Sequence, residues 1–178
     1  MSKKSHFSNQ ISSNYAFLAK TVFDLHSLIQ AQSEELYAEK KLGFPVAASS
    51  TILLLSDVNE ASIMEISQTL NLSHQLTSQR IKIMLNLKLV EGFQDEKDKR
   101  RTLYKLTSKG LEKSKILKLY CVDAEHAFKD LSNEVGADIQ SILNSAIEAL
   151  KHKPFGKRFP AHANSYQDRV SITNKEES

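Results

Sequence analysis

The chain has 178 residues, 40% hydrophobic and 25% charged, with a net charge of +3 and a single cysteine. That size and balance suit one soluble globular domain with a real core and exclude a disordered chain. No apolar run approaches the roughly 20 residues of a membrane helix. Cys121 has no partner for an internal disulfide, and the six histidines are scattered without zinc-ligand spacing, so neither a structural metal nor a cofactor is expected.

Lys3 and Lys4 are not followed by an apolar stretch, so the N-terminus does not read as a secretory signal and a cytoplasmic protein is expected. From Tyr15 to about Tyr37, Leu18, Val22, Leu25 and Ile29 recur at helical spacing, which predicts a long amphipathic helix. Gly43 and Pro45 interrupt it, and Pro45 suits the first turn of a second helix through VAASSTILLLS.

Ser62-Ile-Met-Glu65 has the spacing of a capping box and predicts a short helix over about Ile63 to Leu70. Asn71-Leu72 form a tight connection, and Ser73 can cap a further helix ending near Lys88. Two short helices joined so closely read as a helix-turn-helix. LVEGF and TLYKL, separated by a charged loop over 94–101, then read as a β-hairpin, the order of a winged helix. Thr107 can cap a long helix carrying Leu111, Leu117, Tyr120, Phe128 and Leu131, and Gly136 precedes a last helix through Ile139 to Leu150. The remainder, 152–178, reads as a flexible polar tail.

Charge is unevenly distributed. Residues 73–110 hold nine cations against four acids, whereas 1–72 and 111–150 each carry an acidic excess, a pattern that suits a polyanion-facing surface. At 100° per residue, the helix after Ser73 gathers Gln75, Ser78, Gln79, Lys82 and Asn86 on one arc with His74 at its margin, and no carboxylate among them. Such groups can touch phosphate oxygens and read base edges. The opposite side collects Leu76, Thr77, Ile81, Ile83, Met84 and Leu87, expected to pack on the preceding short helix. Arg80 falls among these apolar neighbours, its partner a carboxylate or a phosphate.

Asp95-x-x-Asp98-Lys99-Arg100 followed by Leu106-Thr107-x-x-Gly110, at this distance from a helix-turn-helix, resembles the D-x-x-D-x-R wing and L-T-x-x-G helix entry of the MarR family of winged helix regulators. The likeness runs through Ile63 to Gly110, and the helix order extends it over most of 10–151. It implies a mainly α fold with a small β-hairpin wing: a winged helix-turn-helix over about 46–107, with dimerisation helices over about 12–40 and 108–151. It also implies a homodimer that binds double-stranded DNA at a pseudo-palindromic operator and is released by a small-molecule effector. Positions matching the family's major-groove readers are His74, Gln75, Ser78, Gln79 and Lys82. In the wing, Arg100 corresponds to the minor-groove arginine and Asp98 to the aspartate that steadies it, with Lys99 and Arg101 expected to approach phosphates. Two departures stand out: Lys88 replaces a frequent glycine, and His74 replaces an arginine common early in the recognition helix. Cys121 has no cation immediately beside it, although Lys118 and His126 lie within about one turn, and it reads as a buried inert thiol; the alternative is the oxidant-sensing cysteine found in some family members.

The chain contains no Gly-rich phosphate loop, G-x-S-x-G or paired-histidine motif, so no enzyme is expected. The competing reading is a helical dimeric protein-interaction module without specific DNA binding.

Overall fold

The computed structural model describes residues 14–159. Asn14 begins the first element by accepting from the Ala16 N–H at 2.9 Å, and a 3-10 turn (Tyr15–Phe17) leads into helix α1 (Leu18–Glu39). A second 3-10 turn (Val46–Ala48) follows Pro45, which stands before the turn rather than inside it, and continues as α2 (Ser49–Val58). The chain then forms strand β1 (Glu60–Ser62), α3 (Ile63–Thr69), α4 (His74–Asn86), β2 (Val90–Gln94), β3 (Thr102–Leu106), α5 (Ser108–Glu134) and α6 (Ile139–His152). Of the described residues, those up to Ala124 make one compact unit and those from Glu125 a second.

The first unit holds the core. Leu42, Ile52, Leu55, Ile66, Ile81, Met84, Leu89 and Leu117 are fully buried, drawn from α2, α3, α4, α5 and the connections between them. On α4 the buried stripe is Thr77, Ile81 and Met84, spaced i, i+4, i+7. Leu76 and Ile83, expected on that side, are exposed, because one narrow stripe suffices to pack this helix on its neighbours. On α5 the buried positions are Gly110, Ser114 and Leu117, and Leu111 faces outward.

The wing is a three-stranded antiparallel sheet in the order β1-β3-β2, not a bare hairpin. β1 pairs Ala61 with Tyr104 and Ser62 with Leu103, while β2 pairs Val90 with Leu106 and Gly92 with Tyr104. A two-stranded hairpin is marginal in water, and the third strand anchors it on the helix-turn-helix. β1 has only three residues, and the capping-box signal that overlaps it masks any strand pattern in the sequence.

Four helices end in the same way, with a residue of positive φ after the cap and paired reverse hydrogen bonds: Lys41, Asn71, Lys88 and Gly136. At the end of α4, the Leu89 N–H donates to Met84 O and the Lys88 N–H to Leu85 O, both at 2.9 Å, the pattern of a Schellman motif. Lys88 there has φ +57°, a conformation in which glycine is free of the steric cost a side chain carries. This accounts for the glycine frequent at that position in the resemblance.

The L-T-x-x-G segment answers this turn. Thr107 Oγ1 donates to Lys88 O (2.8 Å) and accepts from the Gly110 N–H (3.1 Å), and the Thr107 N–H donates to Leu89 O (3.0 Å). A Cβ on Gly110 would lie 2.0 Å from Leu89 O, so only glycine lets α5 start this close to the wing.

In the second unit, Asp138 caps α6 by accepting from the Ser141 N–H at 2.9 Å. Residues 152–159, read from sequence as part of the tail, include a 3-10 turn (Phe155–Arg158), because Arg158 reaches back to the carbonyls of Lys153 (3.0 Å) and Ala149 (2.5 Å) at the end of α6. The rest of that expected tail, 160–178, lies outside the described residues. No helix is long and apolar enough to cross a membrane among the residues described.

Two substitutions test the α4–wing junction by urea denaturation. Gly110→Ala should lose roughly 2–4 kcal/mol, because its Cβ would displace the Leu89 backbone. Lys88→Gly should retain full stability or gain up to about 1 kcal/mol by relieving the left-handed backbone.

Candidate nucleic-acid interface

The polar arc of α4 begins at its cap. Ser73 accepts from the Leu76 N–H at 3.2 Å, and the first turn carries no acid, so the free N–H groups and the helix dipole give this end positive character. His74, Gln75, Gln79 and Lys82 are exposed, and Asn86 continues the arc. Ser78 is half-buried and donates to His74 O at 2.8 Å, which leaves its oxygen able to accept. The structure therefore brings all five sequence-derived helix positions onto one side, as donors and acceptors without a carboxylate.

Arg80 stands apart from that arc. It is half-buried, with Nη1 donating to Ser50 Oγ on α2 at 3.3 Å, and its Nε has no partner among the described residues. Burial lowers its pKa. Of the two partners weighed from sequence, no carboxylate pairs with it among the described residues; the guanidinium meets a serine instead.

The wing tip is organised by two aspartates. Asp95 accepts from the Lys97 N–H at 2.9 Å, and Asp98 Oδ1 accepts from the Arg100 N–H at 3.1 Å and from Arg100 Nε at 3.2 Å. The Arg100 side chain is 92% exposed, so Asp98 restrains it from one side and leaves the guanidinium open to solvent. Lys99 is exposed beside it. Arg101 has partners the sequence reading did not name. Its Nη2 donates to Glu65 Oε1 on α3 at 2.9 Å, and its Nη1 lies 3.7 Å from Asp95 Oδ2. These two carboxylates hold the side chain at the base of the wing.

Glu65 is the residue that sequence reasoning placed only as a cap. The capping box is complete: its N–H donates to Ser62 Oγ at 3.3 Å, and its Oε2 accepts from the Ser62 N–H at 2.8 Å and hydroxyl at 2.7 Å. Those bonds from Ser62, and then Arg101, hold the carboxyl down at about 2. Lys109 also escaped the sequence reading; it donates to Leu87 O at 3.0 Å and neutralises the negative end of α4. Neither contact has a local signature, since each joins residues far apart in the chain.

The aromatic residues near α1 form a packed cluster. Tyr37 meets Phe44 and Tyr120 edge-on, at centroid separations of 5.6 and 4.8 Å, and its hydroxyl lies 2.8 Å from Ser49 Oγ. Burial pushes that hydroxyl's pKa up. His26 is exposed and outside the cluster. Cys121 is half-buried, and burial raises its pKa, which lowers the thiolate fraction on which oxidation depends. Among the described residues, no group of three or more His, Cys, Asp or Glu is placed to hold a metal ion.

Residues 48–110 match the family model described as a winged helix DNA-binding domain. Three solved structures have a similar fold. Reduced AbfR bound to DNA aligns at 16% identity over 85% of this chain and 98% of that one, with a TM-score of 0.60. Overoxidized AbfR bound to DNA aligns at 18% identity over 84% and 96%, with a TM-score of 0.59. The adhesin competence repressor AdcR from Streptococcus pyogenes aligns at 17% identity over 76% and 96%, with a TM-score of 0.57. No curated protein matches the sequence. At these identities the likeness concerns the fold.

Glu65 makes stability pH-dependent in a defined direction. Its folded pKa of about 2 lies below the ordinary 4.5, so the unfolded chain takes up the proton first as pH falls. Its contribution is therefore full above about pH 4.5 and lost progressively toward pH 2. Unfolding free energies measured across that window should converge for wild type and Glu65→Gln as the pH drops; a constant difference would contradict the assignment.

Proposed function

We propose, for a chain whose fold is the MarR-type winged helix, that it is a transcriptional regulator binding double-stranded DNA as a homodimer at a pseudo-palindromic operator. One observation carries this reading: an exposed, acid-free arc of amides, hydroxyl and amine on α4 stands in the same unit as a wing tip whose Arg100 is almost wholly open to solvent. In this reading His74, Gln75, Ser78, Gln79 and Lys82 enter the major groove. Arg100, steadied by Asp98, enters the minor groove, where a narrow, negative channel suits a guanidinium. Lys99 contributes phosphate contact. The two AbfR structures, each bound to DNA, support a duplex partner for a fold of this kind.

The second unit supports the dimer. Among its described residues none is buried, while Val135, Ile142, Ile147, Leu150, Phe155 and Phe159 are exposed. On α1, Leu18, Val22, Phe23 and Leu28 are likewise exposed, and only Tyr37 is buried. Apolar surface on this scale marks an interface, and a second copy related by a two-fold axis would present two reading heads to a palindrome. Release by a small-molecule effector and a cytoplasmic location complete the reading, both as the resemblance and the composition imply.

Selection of bound fragments from random-sequence DNA should recover an inverted repeat with half-sites about one helical turn apart. Affinity for it should fall steeply with salt, and Arg100→Ala should cost roughly 1–3 kcal/mol. Recovery of no motif, with no duplex bound at low salt, would favour the protein-interaction module instead. Placing aspartate at Ile142 and Ile147 should shift sedimentation toward the monomer and abolish operator binding together.

A further inference from the structure

Arg101 closes the wing tip twice through its backbone: its carbonyl accepts from the Asp95 N–H (3.0 Å) and its N–H donates to Asp98 O (2.8 Å). Its side chain then leaves the wing. The guanidinium reaches α3, with Nη2 2.9 Å from Glu65 Oε1 and 3.5 Å from Ser62 Oγ. Glu65 divides its carboxylate between two duties, since Oε2 serves the cap at Ser62 and Oε1 serves Arg101. The last backbone pairing between the helix-turn-helix and the wing is Ser62 with Leu103, so the sheet alone holds the wing no further out than that position. Arg101 adds a fixed point beyond it, next in sequence to the exposed Arg100.

We propose that the Arg101–Glu65 pair is a clasp that positions the wing on the helix-turn-helix, so that Arg101 governs DNA binding through the placement of Arg100 and not as a phosphate ligand. This rests on the DNA-binding reading. Both side chains are about half exposed (43% and 50%), so the pair adds little to stability and its consequence is geometric. A planar fork shared between Glu65 and Asp95 defines direction as well as distance, which an amine would not. Without it, the tip loop pivots about a three-residue strand, and Arg100 loses its fixed approach to a groove.

The test uses the full chain and the duplex selected on wild type from random DNA, with Arg101→Ala, Glu65→Gln, the double variant and Arg100→Ala. Glutamine keeps an oxygen for the Ser62 N–H, so the cap survives while the charge facing Arg101 is lost. Arg101→Ala and Glu65→Gln should each weaken binding by about 5- to 10-fold, and the double variant should be no weaker than Arg101→Ala alone. The salt slope of Arg101→Ala should equal that of wild type, whereas a lost phosphate contact would reduce it by about one. In the free protein, the Asp95 and Arg101 amides should exchange faster in both single variants. A reduced slope for Arg101→Ala with unchanged or tighter binding by Glu65→Gln would overturn the clasp and make Arg101 a phosphate ligand. Unaltered affinity in both variants, or unaltered exchange, would overturn it equally. Wild-type protein that binds no duplex would sink the DNA reading, and the exchange rates would still judge the clasp by themselves.

Discussion

Three consecutive carbonyls at the end of α4, those of Leu87, Lys88 and Leu89, are received by the start of α5: by Lys109 Nζ, Thr107 Oγ1 and the Thr107 N–H. Helix ends leave such groups unpaired, and burying them without partners would be costly. Here one tight junction satisfies them and at the same time fixes the exit of α4, the first wing strand and the long helix. Gly110 is the condition for that junction, because the space a side chain would need belongs to the Leu89 carbonyl.

From this junction the rest of the winged helix unit follows. α4 turns its stripe of Thr77, Ile81 and Met84 inward, so the polar arc faces out by helical geometry alone. The sheet carries the wing tip away from the same point, and β1 ties its far side to the N-terminus of α3. Charge is then arranged by local chemistry: Asp98 limits Arg100, Glu65 takes Arg101, and Lys109 offsets the dipole at the C-terminal end of α4. What looked in the sequence like a uniform block of three cations is one arginine drawn inward and two side chains left outside.

The exposed apolar residues of α1 and α6 belong to the same logic. A chain of this size normally buries such surface, and the second unit has no core of its own among the described residues. Its helices are held by caps and by Arg158 at the end of α6, contacts that shape the helix ends but cover no apolar face.

Much of this was legible in the amino-acid sequence because it depends on short-range rules. The capping box at Ser62, the Ser73 cap, the 3.6-residue arc of α4 and the spacing of Leu106-Thr107-x-x-Gly110 each involve residues within a few positions of one another. The sequence by itself therefore determined the helix order and the polar arc of α4, and the family resemblance pointed to the wing with its Asp98–Arg100 pair. Only the tertiary structure decided that β1 completes the sheet, that Leu76 and Ile83 stay outside, that Arg80 lies on Ser50 and that Arg101 turns to Glu65. The physical reason is distance along the chain: Arg101 and Glu65 are 36 residues apart, and no local periodicity records which charged groups folding will bring within 3 Å.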